Sequence, residues 1–441
     1  MILNIFRSKN LEKIYNTKII YWLILFFILS FVTRLILFFA PIESLTTLQG
    51  DEQAYTSMAE SIFNGTGWQD YAGRSSYLPP LLPIMLALTY QLFDVDYNAS
   101  KILMITLSSL VAPAIFIVSK TLFNNKLGVG LIAGIIVTFY PPSLYYSNML
   151  LTENAASLFT PLILISYLLT SKTHSFWGAV ISGTLWGLAA LNRPVFLMLP
   201  IFLLICQILL QIISKSTFWR WRFRNWAIGI LVMTITISPW TIHNYILHEQ
   251  FVPIHSASGY MMLICNGKLN HPDIQKGLFY YKDKQYERVL NDTLNEIEKD
   301  EKAMEMALSE IGENWSLLFK PVLNRAKNFW TWRPDPYDST FTRNDLVMAI
   351  IWIPLLFFSI FSLFNRKVQT CWPALAIIMY VFITILPFWG SPRFRFPIDS
   401  LIIMLASFGF IEVISIVTNK SRNYLFIKRK SKSAVNSNLN T

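Results

Sequence analysis

Long apolar stretches alternate with short polar connections along most of this chain. Ile19 to Ala40 and Pro194 to Ile213 are two such stretches, each near the roughly 20 residues a helix needs to cross a hydrocarbon core about 30 Å thick. The pattern predicts ten spanning helices, at 19–40, 98–119, 127–147, 152–170, 175–191, 194–213, 226–247, 345–364, 371–389 and 397–417. Leu78 to Phe93 is also apolar, but it is short, opens on Leu-Pro-Pro and contains Pro83, so it predicts a helix lying at the membrane surface. Asp51 to Phe63 has apolar residues at Ala54, Tyr55, Met58, Ala59, Ile62 and Phe63, a helical period that predicts a second interfacial helix ended by Gly65, Gly67 and Trp68.

The expected fold class is therefore an all-α integral membrane bundle of about ten transmembrane helices. Residues 1–247 form its main module, including a first outer loop at 41–97. Residues 248–344 are too polar for membrane and too few to bury much core alone, so they predict a small extracytoplasmic cap, helical around Gln285 to Leu318. C-terminal helices follow at 345–417, and 418–441 reads as a basic, cytoplasmic tail, disordered after Lys428 and held near anionic lipid.

Composition agrees with lipid as the solvent. At 54% hydrophobic and 14% charged, a 441-residue chain carries more apolar surface than a soluble domain can bury. The net charge of +11 suits a nucleic-acid ligand only if the basic residues cluster, and they do not. Arg7, Lys9, Lys13 and Lys18, Lys120 and Lys126, Lys172, then Lys215, Arg220, Arg222 and Arg224, Arg366 and Lys367, and the tail all fall on one side of the predicted topology. Positive charge favours the cytoplasm, so both termini are expected inside. Most acidic residues lie in the two segments assigned outside. The first span is too long for a cleaved signal and lacks a small-x-small site, so it reads as an uncleaved anchor. Cys206, Cys265 and Cys371 lie far apart and predict neither a disulfide framework nor a CxxC metal site.

Ionisable residues at the outer ends of spans are the candidate chemistry. Gly50-Asp51-Glu52-Gln53-Ala54-Tyr55 puts two carboxylates at the start of an interfacial helix, and Leu151-Thr152-Glu153-Asn154 puts a third at the outer end of the fourth span. A helix N-terminus stabilises carboxylates by its dipole alone. At the water–lipid boundary, however, a carboxylate is also placed to take a proton from an acceptor hydroxyl. Arg193 in Leu191-Asn192-Arg193-Pro194, and Arg393 and Arg395 in Arg393-Phe394-Arg395-Phe396-Pro397, sit outside against the positive-inside trend. Guanidinium groups bind phosphate oxygens in pairs, or anchor to headgroups. Arg34, within the first span, is either snorkelling or paired. Trp68, Tyr71 and Tyr77 read first as an interfacial aromatic belt, with stacking on a sugar as the alternative. The five histidines show no metal-ligand spacing, and no GxxxxGK[ST] loop is present. Asn-x-Ser/Thr triplets begin at Asn64, Asn98, Asn291 and Asn314, all in predicted outer segments.

With these residues in place, the chain resembles the GT-C superfamily of polyprenyl-phosphate-dependent glycosyltransferases, which includes protein O-mannosyltransferases and lipid A aminoarabinose transferase. The resemblance covers most of the first 250 residues and resumes near the last span. It is most specific at Gly50 to Tyr55 with the following Gly65-Thr66-Gly67-Trp68. It implies that Asp51 is the essential acidic residue, that Glu153 is the second acidic position, that Arg193 matches a Leu-Thr-Arg/Lys element and that Arg393 to Pro397 match a late Arg-Tyr-x-x-Pro element. Two features of the aminoarabinose transferases are absent: an Arg three residues after the first Asp, replaced by Ala54, and a Glu-Lys-Pro, replaced by Tyr77-Leu78-Pro79. Lipid A modification and a bound metal are accordingly not expected. The large lumenal insertion of eukaryotic protein O-mannosyltransferases is missing too.

The expected activity is transfer of a sugar, with inversion, from a polyprenyl-phosphate donor to a lipid, glycan or protein hydroxyl at the extracytoplasmic face of a bacterial plasma membrane. Asp51, Glu52 and Glu153 are the catalytic candidates, and Tyr55, Arg193, Arg393 and Arg395 the substrate-binding ones. No cofactor is expected. A flippase of lipid-linked sugars would place its ionisable groups along a midplane path, and an inactive assembly subunit would lose the acidic pair. An O-antigen-type polymerase is a neighbouring enzyme reading.

Overall fold

The computed structural model describes residues 17–40, 47–123, 127–172, 175–213, 220–280, 294–337, 340–365 and 371–438. Several sequence expectations fall outside these residues: the basic groups at Arg7, Lys9, Lys13, Lys126, Lys215, Arg366 and Lys367, and the Asn291 triplet. Among the described residues every regular element is a helix. Its first half comprises α1 (Thr17–Phe38), α2 (Asp51–Phe63), α3 (Leu81–Phe93), α4 (Tyr97–Ser109), α5 (Val111–Leu122), α6 (Leu127–Phe139), α7 (Pro141–Tyr146), α8 (Thr152–Lys172) and α9 (Phe176–Asn192). Then come α10 (Leu199–Ile213) and α11 (Arg220–His248); within the segment expected to form a cap, hereafter the cap, α12 (Ser258–Asn266), α13 (Pro272–Gln275), α14 (Glu296–Glu313) and α15 (Phe319–Trp330); and finally α16 (Arg343–Leu363), α17 (Trp372–Ile385) and α18 (Pro392–Asn438).

Helices occur at all ten predicted spans. Among the described residues six segments are long and apolar enough to cross a membrane: Ile19–Phe38, Tyr97–Leu122, Pro194–Ile213, Phe223–His248, Arg343–Leu363 and Pro392–Thr418. These six make the chain a multi-pass membrane protein. Their burial separates centre from rim. Tyr97–Leu122 is 67% buried and Pro392–Thr418 50%, against 22–28% for the other four, whose Ile, Leu and Phe side chains face outward as lipid-exposed helices do. Two predicted spans are broken by proline. Tyr140, ahead of Pro141 and Pro142, takes the extended conformation a pre-proline residue favours and separates α6 from α7; Pro113 lies just after the break between α4 and α5. Close helix packing uses glycine: a Cβ on Gly183 would stand 2.3 Å from the Gly229 carbonyl oxygen where α9 meets α11.

One boundary differs from expectation. Residues 418–438, read as a tail disordered toward its end, continue α18 to Asn438. The segment contains neither proline nor glycine, so nothing local stops the helix.

On top of the bundle, α2 and α3 pack through a small core of their own, with Tyr55, Met58 and Ala59 against Leu82, Leu86 and Tyr90, reaching Met104 of α4 and Leu150. Beside them the cap gathers α12 and α14 around Leu263, Ile264, Ala303 and Ala307. A capping box at Asn295 and Glu298 starts α14.

Candidate active site

Asp51 is the first residue of α2. Gly50 precedes it at φ 51°, a left-handed conformation that suits glycine and lets the loop turn directly into the helix. Glu153 is the second residue of α8, deep in the bundle, with its side chain 1% exposed. Arg193 occupies the junction after α9, held extended by the proline that follows (φ −144°, ψ 117°). Arg393 stands one residue into α18. These four residues, spread over more than 340 positions of sequence, converge on one cluster.

Arg393 is its hub. Nε donates to Glu153 Oε1 at 2.6 Å and Nη2 donates to Asp51 Oδ2 at 2.7 Å. Arg193 Nη1 lies 3.5 Å from the same Glu153 oxygen, as an ion pair without a hydrogen bond, and that buried nitrogen donates to no group among the described residues. The Phe394 ring packs against both guanidinium groups, 5.4 Å from Arg193 and 6.0 Å from Arg393. Two carboxylates thus face two guanidiniums, with Asp51 on the open side at 57% exposure and Glu153 enclosed. Tyr55, one turn along α2, is buried against the cluster. Burial raises its hydroxyl above the ordinary tyrosine range, and the Asp51 and Glu153 charges raise it further.

Glu52 and Arg395 do not reach the cluster's open side. Glu52 is buried and accepts the Leu150 N–H at 2.8 Å and the Gln49 N–H at 3.2 Å. Burial raises its carboxyl above the usual range, opposed by those two backbone hydrogen bonds. It fastens the start of α2, which carries Asp51, to the loop leading to Glu153. Arg395 is 1% exposed, bonded to Asp399 at 2.9 Å and to the Phe329 and Thr331 carbonyl oxygens at 2.7 Å each, and stacked 3.6 Å over Trp352. Its Nε and Nη1 donors are thereby engaged within the fold. Arg34 is buried and, among the described residues, forms no ion pair: Ser30, Ser108, Thr138 and Ser143 cage it with neutral oxygens.

Sequence reasoning passed over two contributors. Tyr146, at the end of α7, lies within electrostatic reach of Glu153 and Arg393 and packs 4.9 Å from Phe396; its place just upstream of Leu151-Thr152-Glu153 was the available signal. Arg325 of the cap is fully buried. Its Nη1 donates to Asn266 Oδ1 at 2.9 Å and to the Pro387 carbonyl at 3.1 Å, while the Tyr337 hydroxyl donates to the Gly390 carbonyl at 2.6 Å. The cap thereby clamps the turn that delivers Arg393. Among the described residues no group of three or more His, Cys, Asp or Glu side chains has the spacing of a metal site.

No family model and no curated protein matches this sequence. Among solved structures the chain is similar to ArnT from Cupriavidus metallidurans bound to undecaprenyl phosphate, at 12% identity, with 88% of this chain and 77% of that chain covered and a TM-score of 0.44. It is similar to the same protein in the apo state at 12% identity, 88% and 76% coverage and a TM-score of 0.42.

Proposed function

We propose that the protein is a membrane glycosyltransferase of the GT-C type that moves a sugar from a polyprenyl-phosphate donor to an acceptor hydroxyl, with inversion at the anomeric carbon. The observation that carries this reading is Arg393 bridging Asp51 and Glu153, with Arg193 beside it. A phosphate accepting hydrogen bonds from Arg393 Nη2 and from the unused Arg193 Nη1 would displace Asp51 from its ion pair. Asp51 is then free, at the exposed edge of the cluster, to act as general base. In the reaction the acceptor oxygen bonds to the anomeric carbon as its proton passes to Asp51. The bond from that carbon to the phosphate oxygen breaks, and the electron pair leaves on polyprenyl phosphate. Arg393 and Arg193 stabilise the charge gained there, in an environment where water screens it little. Glu153, enclosed and paired, keeps both guanidiniums in place.

On this reading the site faces the extracytoplasmic side, both termini are cytoplasmic, and the donor's lipid lies among the outer ends of the helices. The test is transfer of radiolabelled sugar in isolated membranes from a panel of polyprenyl-phosphate sugars. Label moving from carrier to acceptor supports the assignment. Movement of intact donor across the membrane without cleavage would replace it with a flippase.

A further inference from the structure

A cavity of about 400 Å³, within the size range of about 300–1,000 Å³ common for small-molecule sites, lies between the first outer loop and the cap. Arg74 and Tyr77 line it from the loop, and Tyr260, Glu296, Lys299 and Asp300 from the cap. Its walls are built in advance of any ligand. Asp70 accepts Arg74 Nε and Nη2 at 2.8 and 2.6 Å and the Ala72 and Arg74 N–H groups at 2.9 and 3.0 Å, which fixes the loop. Arg74 in turn lies 3.6 Å over the Tyr77 ring. Across the gap Glu296 accepts the Ser75 N–H at 2.8 Å, the Ser76 N–H at 3.1 Å and the Ser256 hydroxyl, joining cap to loop. Asp300 accepts the Tyr260 N–H at 2.8 Å, and the Tyr77 and Tyr260 rings meet edge-on at 6.2 Å.

None of these lining residues comes from the helices that carry Glu153, Arg193 and Arg393. Asp51 pairs with Arg393 and opens α2, which is bonded to the loop that walls the cavity: Ser57 Oγ accepts the Tyr71 N–H at 2.9 Å. Burial, then the neighbouring Tyr260 and the Asp51 charge, push the Tyr77 hydroxyl up to about 12. Asp51 therefore touches the arginine cluster directly and sits on the helix to which the cavity's loop is fastened.

Two cations and two carboxylates line the cavity, so it carries no net charge from its walls, and Lys299 forms no ion pair among the described residues. An acyl chain there would leave four charged groups facing hydrocarbon, at a large desolvation cost. A phosphate would meet two carboxylates. A polyhydroxylated ring suits the lining, because each hydroxyl both donates and accepts and its apolar face covers an aromatic ring. We propose that this cavity is the acceptor subsite and that the acceptor is a neutral saccharide, bound between Tyr77, Tyr260 and Lys299 with one hydroxyl directed at Asp51. This rests on the reading of Asp51 as the base.

Binding is measured without turnover, by saturation-transfer NMR on the full chain in neutral-lipid nanodiscs. The probes are methyl glycosides of neutral hexoses, 6-deoxyhexoses and N-acetylhexosamines, with a Ser/Thr peptide and inorganic phosphate as rivals. At least one glycoside should bind. Lys299→Ala and Tyr260→Leu should each weaken it about five-fold, the loss expected of one hydrogen bond or ring contact. No bound glycoside, equal binding in both cavity variants, or a signal from the peptide or phosphate that those variants remove would each overturn the proposal. Glycoside binding that the cavity variants weaken, together with undiminished transfer by Asp51→Asn, would retain the subsite and remove Asp51 as base.

Discussion

Arg393 and Arg395 lie two residues apart at the start of α18, yet their surroundings differ in kind. Arg393 is partly exposed and holds carboxylates from two distant helices, Asp51 at 2.7 Å and Glu153 at 2.6 Å. Arg395 is enclosed and holds its own helix neighbour Asp399, whose other oxygen accepts the Tyr140 hydroxyl at 2.8 Å. The first arrangement can exchange Asp51 for a ligand because one end is open. The second is enclosed, and opening it would strand a buried charge. On the proposed function, a guanidinium at a helix end can serve as a substrate group only where its partners can be traded.

Substitutions test that contrast. Asp51→Asn should give the largest effect, a loss of about 1,000-fold in transfer with normal membrane insertion, the middle of the roughly 10²–10⁴ that a general base contributes. Normal activity in this variant would remove the assignment. Arg393→Gln should lower transfer about 100-fold through lost stabilisation of the departing phosphate, and thermal unfolding in detergent should shift much less. Arg395→Met should do the reverse, costing about 3 kcal/mol or more of stability by leaving Asp399 buried and unpaired, and Arg395→Met with Asp399→Leu should recover most of it. If Arg395→Met were stable and selectively inactive, the two arginines would have to exchange roles.

Glu52→Gln is the mildest case, with activity down about ten-fold as Asp51 loses its fixed position. The sign of its stability effect follows from burial. The carboxyl is raised in the folded protein, so its contribution to stability falls as pH rises through that raised value, and the ionised group is disfavoured at neutral pH. The neutral variant should consequently melt no lower than wild type at pH 7. A clear drop would mean that the hydrogen bonds to Leu150 and Gln49 outweigh the cost of burying the charge.

Much of this architecture was legible in the chain because membrane helices announce themselves by length and apolarity, and Pro141 and Pro142 mark the break at Tyr140 in any setting. The residues of the site were visible as local motifs at the outer ends of helices. Their directions were not. Positions two apart on a helix project about 200° from one another, so Arg393 and Arg395 face opposite ways, and adjacent positions such as Asp51 and Glu52 diverge by about 100°. Which face is open depends on what packs against it, and those neighbours lie hundreds of residues away. The cavity beneath the cap was hidden for the same reason: Glu296 meets Ser75 and Ser76 across about 220 positions, with no periodicity to report it.

The most direct measurement of the central claim is release of polyprenyl phosphate in proteoliposomes supplied with a lipid-linked sugar and an acceptor, comparing wild type with Asp51→Asn and Arg393→Gln. The account predicts stoichiometric release of polyprenyl phosphate with product formed by wild type, and almost none from either variant. Release undiminished in both variants, or none from an intact wild type across the donor panel, would contradict it.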